Sequence, residues 1–148
     1  VAKLEDLITD RKAGKTVVNV NDGATTLRPQ RVYDVESDHV AAATTEGKLL
    51  LFPASELPQL ARGKGVQTIK IHRTPIAPEK VVSIAIVPED GTLVVHAGKR
   101  FTNLKPSDLE SYIGKRAQRG LKLLRGFQNV TLIRAFNDRE PGTPELVM

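Results

Sequence analysis

The stretch QLARGKGVQTIKI, Gln59 to Ile71, sets two glycines and two cations within four residues and then runs into alternating apolar positions with no acid. The same arrangement recurs on either side of it. Gly14 stands in DRKAGKTVVNV (Asp10 to Val20) and Gly120 in KRAQRGLKLL (Lys115 to Leu124); Gly14, Gly65 and Gly120 lie 51 and 55 residues apart. Upstream of each is an acid followed by leucine, Asp6-Leu7, Glu56-Leu57 and Asp108-Leu109, at separations of 50 and 52. Two independent markers thus share one period. A repeat of this length is one supersecondary unit that cannot bury its own core, so units must stack, as in propeller-like or solenoid folds.

The units read as β. HVAAATTEGKLLLF (His39 to Phe52) is two short apolar runs around Glu46-Gly47, and VVSIAIVPEDGTLVVHA (Val81 to Ala97) is two more around Asp90-Gly91, so each predicts a hairpin. In the second, both phases of the alternation are mostly apolar, as in strands packed between layers. A further strand is predicted over Thr16 to Val20, before an Asn21-Asp22-Gly23 turn. Lys105 to Ile113, with Pro106 and a capping box of Ser107 and Glu110, has room for two helical turns before Gly114. The expectation is a single all-β domain of about two and a half to three repeated sheets, with brief helical turns between them. The repeats fall at 1–20 (a partial blade), 21–71 and 72–136, with 137–148 as a tail.

Composition bounds the rest. The 148 residues, 40% of them hydrophobic, suit one soluble globular domain. No apolar run approaches the roughly 20 residues that span a bilayer, and no signal peptide stands at the start. The absence of cysteine excludes disulfides and thiolate metal sites and permits a reducing, cytoplasmic setting. The chain begins at Val1 and its only methionine is Met148, which predicts a piece of a longer protein. An unpaired strand edge near Val1 would then favour self-association of the chain.

The net charge of +5 and pI near 9.6 favour a polyanionic partner. The cations are clustered: Arg11, Lys12 and Lys15 first, then Arg62, Lys64, Lys70 and Arg73, then Lys115, Arg116, Arg119, Lys122, Arg125 and Arg134. The last two groups contain no acid; the acids concentrate at Asp34 to Asp38 and Glu79 to Asp90. Cations beside glycines suit phosphates, because a glycine lets backbone N–H groups approach without a Cβ in the way. One such cluster per blade would line a curved rim. The candidate phosphate-binding set read from this pattern is Arg11, Lys12, Lys15, Arg62, Lys64, Lys115, Arg116, Arg119, Lys122 and Arg125. The bland alternative is solvated loops that never converge. Lys99 and Arg100, after Gly98, read equally as turn or site.

Other chemistry finds little support. With two Tyr, four Phe and no Trp, a stacking platform for single strands is poorly supplied. His39, His72 and His96 are widely separated and carry no paired ligand motif, so no metal site is expected. Gly14-Lys15-Thr16 lacks the earlier glycine of a phosphate-binding loop, Thr9 standing in its place. No catalytic arrangement is suggested by spacing. Leu7, Leu57, Leu109, Phe52 and Phe127 read as core.

GKLLLFPASELPQLARGKGVQTIKI (Gly47 to Ile71) and LVVHAGKRFTNLKPSDLESYIGKRAQRGLKLLRGFQNVTLI (Leu93 to Ile133) resemble the C-terminal domain of the A subunit of bacterial DNA topoisomerase IV, and Val1 to Val20 resembles the blade before them. The resemblance covers nearly the whole chain, in order. It implies a β-pinwheel, a propeller-like disc of antiparallel four-stranded blades that exchange strands with their neighbours, as in the related gyrase A subunit, here a partial ring of about two and a half to three blades. It also implies a non-catalytic domain whose basic outer edge binds and bends duplex DNA and steers it to a separate cleavage core for decatenation and supercoil relaxation. The gyrase motif QRRGGKG is matched by none of TDRKAGK, LARGKG or KRAQRG, which favours the topoisomerase IV type and speaks against strong wrapping. The resemblance places the DNA-cleaving tyrosine elsewhere than Tyr33 or Tyr112, and ATP and Mg on other domains or subunits, leaving no cofactor on this chain. The implied partners are duplex DNA, the remainder of the A subunit, and the B subunit, in the nucleoid; no membrane is involved. Two other classes stay open: a protein-interaction platform, and a hydrolase with carboxylates or histidines clustered at the blade axis.

Overall fold

The computed structural model describes residues 1–14, 16, 18–60, 63 and 65–136. Among the described residues seven strands carry the fold: β1 His39–Thr44, β2 Lys48–Pro53, β3 Val81–Val87, β4 Leu93–Ala97, β5 Arg100–Leu104, β6 Leu121–Lys122 and β7 Leu132–Ala135. They form two antiparallel sheets, one of four strands in the order β3-β1-β2-β6 and one of three in the order β5-β4-β7.

The first sheet is apolar in both phases because both of its faces are covered. Ala41, Ala43, Leu49, Leu51, Ala85 and Val87 pack against Leu93, Val95, Leu104 and Ile133 of the second sheet. The opposite face presents Val40, Ala42, Leu50 and Phe52 to Ala54 and Ile69, with Val32 and Leu57 closing the margin. Leu49 and Phe52, both 0% exposed, each contribute roughly 1.5–3 kcal/mol by leaving water. Leu109 belongs to the first of these cores as expected, whereas Leu7 is 40% exposed.

The two sheets are built on one plan. β1 and β2 form a hairpin around Glu46-Gly47, as expected; β4 and β5 form another around Gly98-Lys99. A short helical turn follows the second strand of each: Ala54–Glu56 after β2, and α1, Pro106–Leu109, after β5. β3 flanks β1 as β7 flanks β4.

Three local expectations are corrected. Val81 to Ala97 is no hairpin: β3 pairs with β1, whereas β4 pairs with β5 and β7. The tight turn is present, with Gly91 N–H donating to the Pro88 carbonyl at 2.9 Å, but it hands the chain from one sheet to the next. Both faces of β3 are apolar because it is built into the doubly covered sheet, and that burial outweighs pairing with its sequence neighbour. Among the described residues of Thr16 to Val20 there is only an isolated bridge, Val18 to Gly63, with Asn19 N–H donating to Gly63 O at 2.9 Å. The helix begins at Pro106, whose fixed φ suits the first position, so its third residue is Asp108. It is therefore Asp108 Oδ2 that accepts the Lys105 N–H, at 3.0 Å, rather than Glu110 reaching back to Ser107. A 3-10 turn, Glu110–Tyr112, completes the segment.

β6 is the exchanged strand: it follows the second hairpin in sequence but adds to β2 in the first sheet, Leu121 opposite Leu49 and Lys122 opposite Lys48. Gly120 makes this entry fit, since a Cβ there would lie 2.6 Å from the Leu49 carbonyl oxygen. Gly120→Ala should cost about 1–3 kcal/mol through overpacking. Urea denaturation would register the loss, and amide exchange should accelerate at Leu123, whose N–H donates to Gly47 O at 2.8 Å.

Candidate nucleic-acid interface

The expected cations divide by what surrounds them. Arg11 and Lys12 are exposed in a turn closed by Gly14 N–H donating to Arg11 O at 2.9 Å. Lys15, Arg62 and Lys64 lie outside the described residues. Lys115, Lys122 and Arg125 are exposed, and among the described residues none of them, nor Arg11 or Lys12, is in an ion pair. Lys122 faces Lys48 across the edge of the first sheet, an arrangement that disfavours the strand pair and concentrates positive potential.

Clusters distant in sequence are brought together. The loop before β6 docks on residues 67–70: Ala117 N–H donates to Thr68 O at 2.8 Å and Lys70 N–H to Gln118 O at 2.9 Å. Arg116 is half-buried in this joint, its backbone N–H donating to Glu56 Oε1 at 3.2 Å and its guanidinium to Gln67 O at 2.8 Å. Ala117 takes a left-handed φ of +66°, unusual without glycine and imposed by the docking contacts. The Val18–Gly63 bridge sets the chain after the first cluster beside the second.

Arg119 departs from its expected role as a surface cation. Its guanidinium donates to Glu79 Oε2 at 2.6 Å and to Lys70 O at 2.9 Å, and pairs with Glu46 Oε2 at 3.4 Å. Glu79 is fully buried and receives two further donors, the Thr44 hydroxyl at 2.6 Å and the His72 N–H at 2.7 Å. Burial alone would raise the Glu79 pKa; the bonds from Thr44, Arg119 and His72 outweigh it and hold the carboxyl below its ordinary value. Arg119 thus bonds within the molecule, fastening the loop before β6 to the β1–β2 turn and to residues 70 and 79.

His72 Nδ1 lies 3.2 Å from Glu46 Oε2, so Glu46, His72 and Glu79 place ligand-type atoms within 4.8 Å of one another. Sequence reading missed this group because its members gather only on folding. The Arg119 guanidinium supplies positive charge at Glu46 and Glu79, so these residues form part of an ion-pair network. His96 stands apart, its pKa lowered by burial and by Arg134. Tyr112 is buried in the core beside α1, its pKa raised first by burial and then by Asp108, so the phenol stays neutral.

Comparison with known proteins fits this geometry. No family model matches the chain. The A subunit of DNA topoisomerase 4 from Pseudomonas aeruginosa is 48% identical over 132 residues, covering 88% of this chain and 18% of that protein. The Salmonella typhimurium counterpart is 35% identical over 135 residues, covering 90% and 18%. The chain therefore spans about a fifth of the length of these relatives. Among solved structures, the C-terminal domain of ParC from E. coli superposes with a TM-score of 0.74 at 32% identity, over 91% of this chain and 55% of that one. The C-terminal domain of DNA gyrase A superposes at 0.57 with 17% identity, over 80% and 38%, a likeness of fold alone.

The two sheets with their exchanged strand define the class: the chain belongs to the β-pinwheel C-terminal domains of type II topoisomerase A subunits. Within that class its relatives are the A subunits of DNA topoisomerase IV, and the match lies with their C-terminal part, outside the catalytic core.

Proposed function

We propose that this chain binds duplex DNA through its exposed cations and presents it to the cleavage core of a topoisomerase IV, for decatenation and relaxation of supercoils. The observation that carries the reading is the division among the cations. Arg11, Lys12, Lys115, Lys122 and Arg125 are exposed without carboxylate partners among the described residues, on a fold whose relatives are named for DNA topology. Lys15, Arg62 and Lys64 extend this set by their place in the sequence repeat; Arg119, paired with Glu79 and Glu46, leaves it. Backbone-tracking contact of this kind needs little base readout. The remainder of the A subunit and the B subunit are the partners, ATP and Mg belong to them, and the bacterial nucleoid is the setting. No helix among the described residues is long and apolar enough to cross a membrane.

The test is duplex binding by the chain across a salt series, with Lys115, Lys122 and Arg125 changed to alanine together. Sequence-independent binding with a slope of roughly −0.9 per phosphate contacted is expected, and the triple variant should flatten that slope by two to three contacts' worth. A folded chain that ignores duplex DNA at low salt overturns the reading.

A further inference from the structure

Two glycine turns of the 72–136 segment meet at Arg100. Gly98, at φ +65°, and Lys99 form the two-residue loop between Ala97 and Arg100, the last pair of the β4–β5 ladder. After β6, Phe127 N–H donates to Leu124 O at 3.0 Å, closing a turn with Gly126 at φ +91°. Between them lies Arg100. Its guanidinium carbon sits 5.1 Å from the centroid of the Phe127 ring, and its two terminal nitrogens would be 3.0 and 3.4 Å from a Cβ at position 126. Gly126 thus leaves the space in which the guanidinium lies over the ring.

Arg100 is the counterpart of Arg119 in one respect and its opposite in another. Both guanidiniums are held by the protein, but Arg119 is neutralised by two glutamates, whereas Arg100 is exposed and has no carboxylate partner among the described residues. Stacking fixes a long side chain without using its N–H donors. Arg125, in the same turn as Gly126, is exposed as well. We propose that Arg100 and Arg125 form a pre-organised phosphate-binding site for duplex DNA, with Phe127 and Gly126 as the residues that position Arg100. The site rests on the duplex-binding reading and adds a residue that reading does not include.

The experiment is fluorescence anisotropy of a short mixed-sequence duplex with the 148-residue chain over a salt series. Arg100→Ala should weaken binding about tenfold at low salt and reduce the salt slope by about 1. Arg100→Lys should keep the slope yet bind less tightly than wild type, because an ammonium neither stacks nor forks. Phe127→Leu, with the charge intact, should fall between wild type and Arg100→Ala. Wild-type affinity and slope in Arg100→Ala overturn the site while leaving duplex binding in place. A weakened affinity with an unchanged slope in Arg100→Ala also overturns it, since that outcome marks a structural effect. A wild-type chain that does not bind duplex overturns both the site and the reading beneath it.

Discussion

Arg119→Ala is expected to lower the stability of the chain by about 3 kcal/mol, toward the low end of the cost of breaking a buried ion pair because the guanidinium is partly solvated. The change strands the Glu79 carboxylate, fully buried, with only Thr44 and His72 as donors. Urea denaturation reads the loss. A double-mutant cycle with Glu79→Gln separates the pair's own coupling from the cost of leaving Glu79 alone. The pH dependence adds a signature. Glu79 has a folded pKa below the ordinary 4.5, so its contribution is complete above about that pH and is lost as pH falls through the folded value. Glu79→Gln should remove that part of the acid limb. In Arg119→Ala the same carboxyl should titrate higher, because burial then meets less opposition, and stability should begin to fall at a higher pH than in wild type. A stability within about 0.5 kcal/mol of wild type, the range of an ordinary surface substitution, would return Arg119 to the set of free surface cations.

Gly47→Ala should cost a similar amount, about 3 kcal/mol, from two sources that add. Position 47 has φ +72°, where a side chain costs about 1–2 kcal/mol. A Cβ would also lie 2.7 Å from the Cα and carbonyl oxygen of Gln128, backbone atoms that no rotamer change removes, which adds about 1–3 kcal/mol. Gly23→Ala is the control: its φ is +79° with nothing within 4 Å of the added carbon, so only the backbone cost applies. Thermal or urea denaturation of the two variants isolates the clash as their difference. Because Gln128 adjoins the turn that holds Arg125, Gly126 and Phe127, Gly47→Ala should weaken duplex binding too, although residue 47 carries no charge. Equal stabilities for the two variants would show that the 124–128 segment yields freely.

What the sequence made legible was local. The β1–β2 hairpin could be read because Glu46-Gly47 stands between two apolar runs and the pairing joins neighbours in the chain. β3 and β4 have the same local grammar, a turn between apolar runs, yet belong to different sheets. Nothing within Val81 to Ala97 distinguishes the cases, since the deciding partners, β1 and β7, lie outside it. The cations show the same divide. Their clustering was visible, but the acids that claim Arg119 are 40 and 73 residues away. Phe127, read as core, is instead the half-buried surface on which Arg100 rests. The capping error was smaller and had a local cause, the start fixed by Pro106.

The exchanged strand also sets an order of assembly. β1 and β2 are complete once residue 53 has been made, and β3 can join them at residue 87, but the outer edge of β2 receives β6 only when residues 121 and 122 arrive. During synthesis, at roughly 5–20 residues per second, that edge waits several seconds with its backbone groups unpaired. Lys48 opens β2 and Pro53 ends it; a charge and a missing N–H on this short strand are the devices that discourage a wrong partner in the interval. The four-stranded sheet therefore cannot finish folding before the three-stranded one has nearly been made, and the pair matures as one unit.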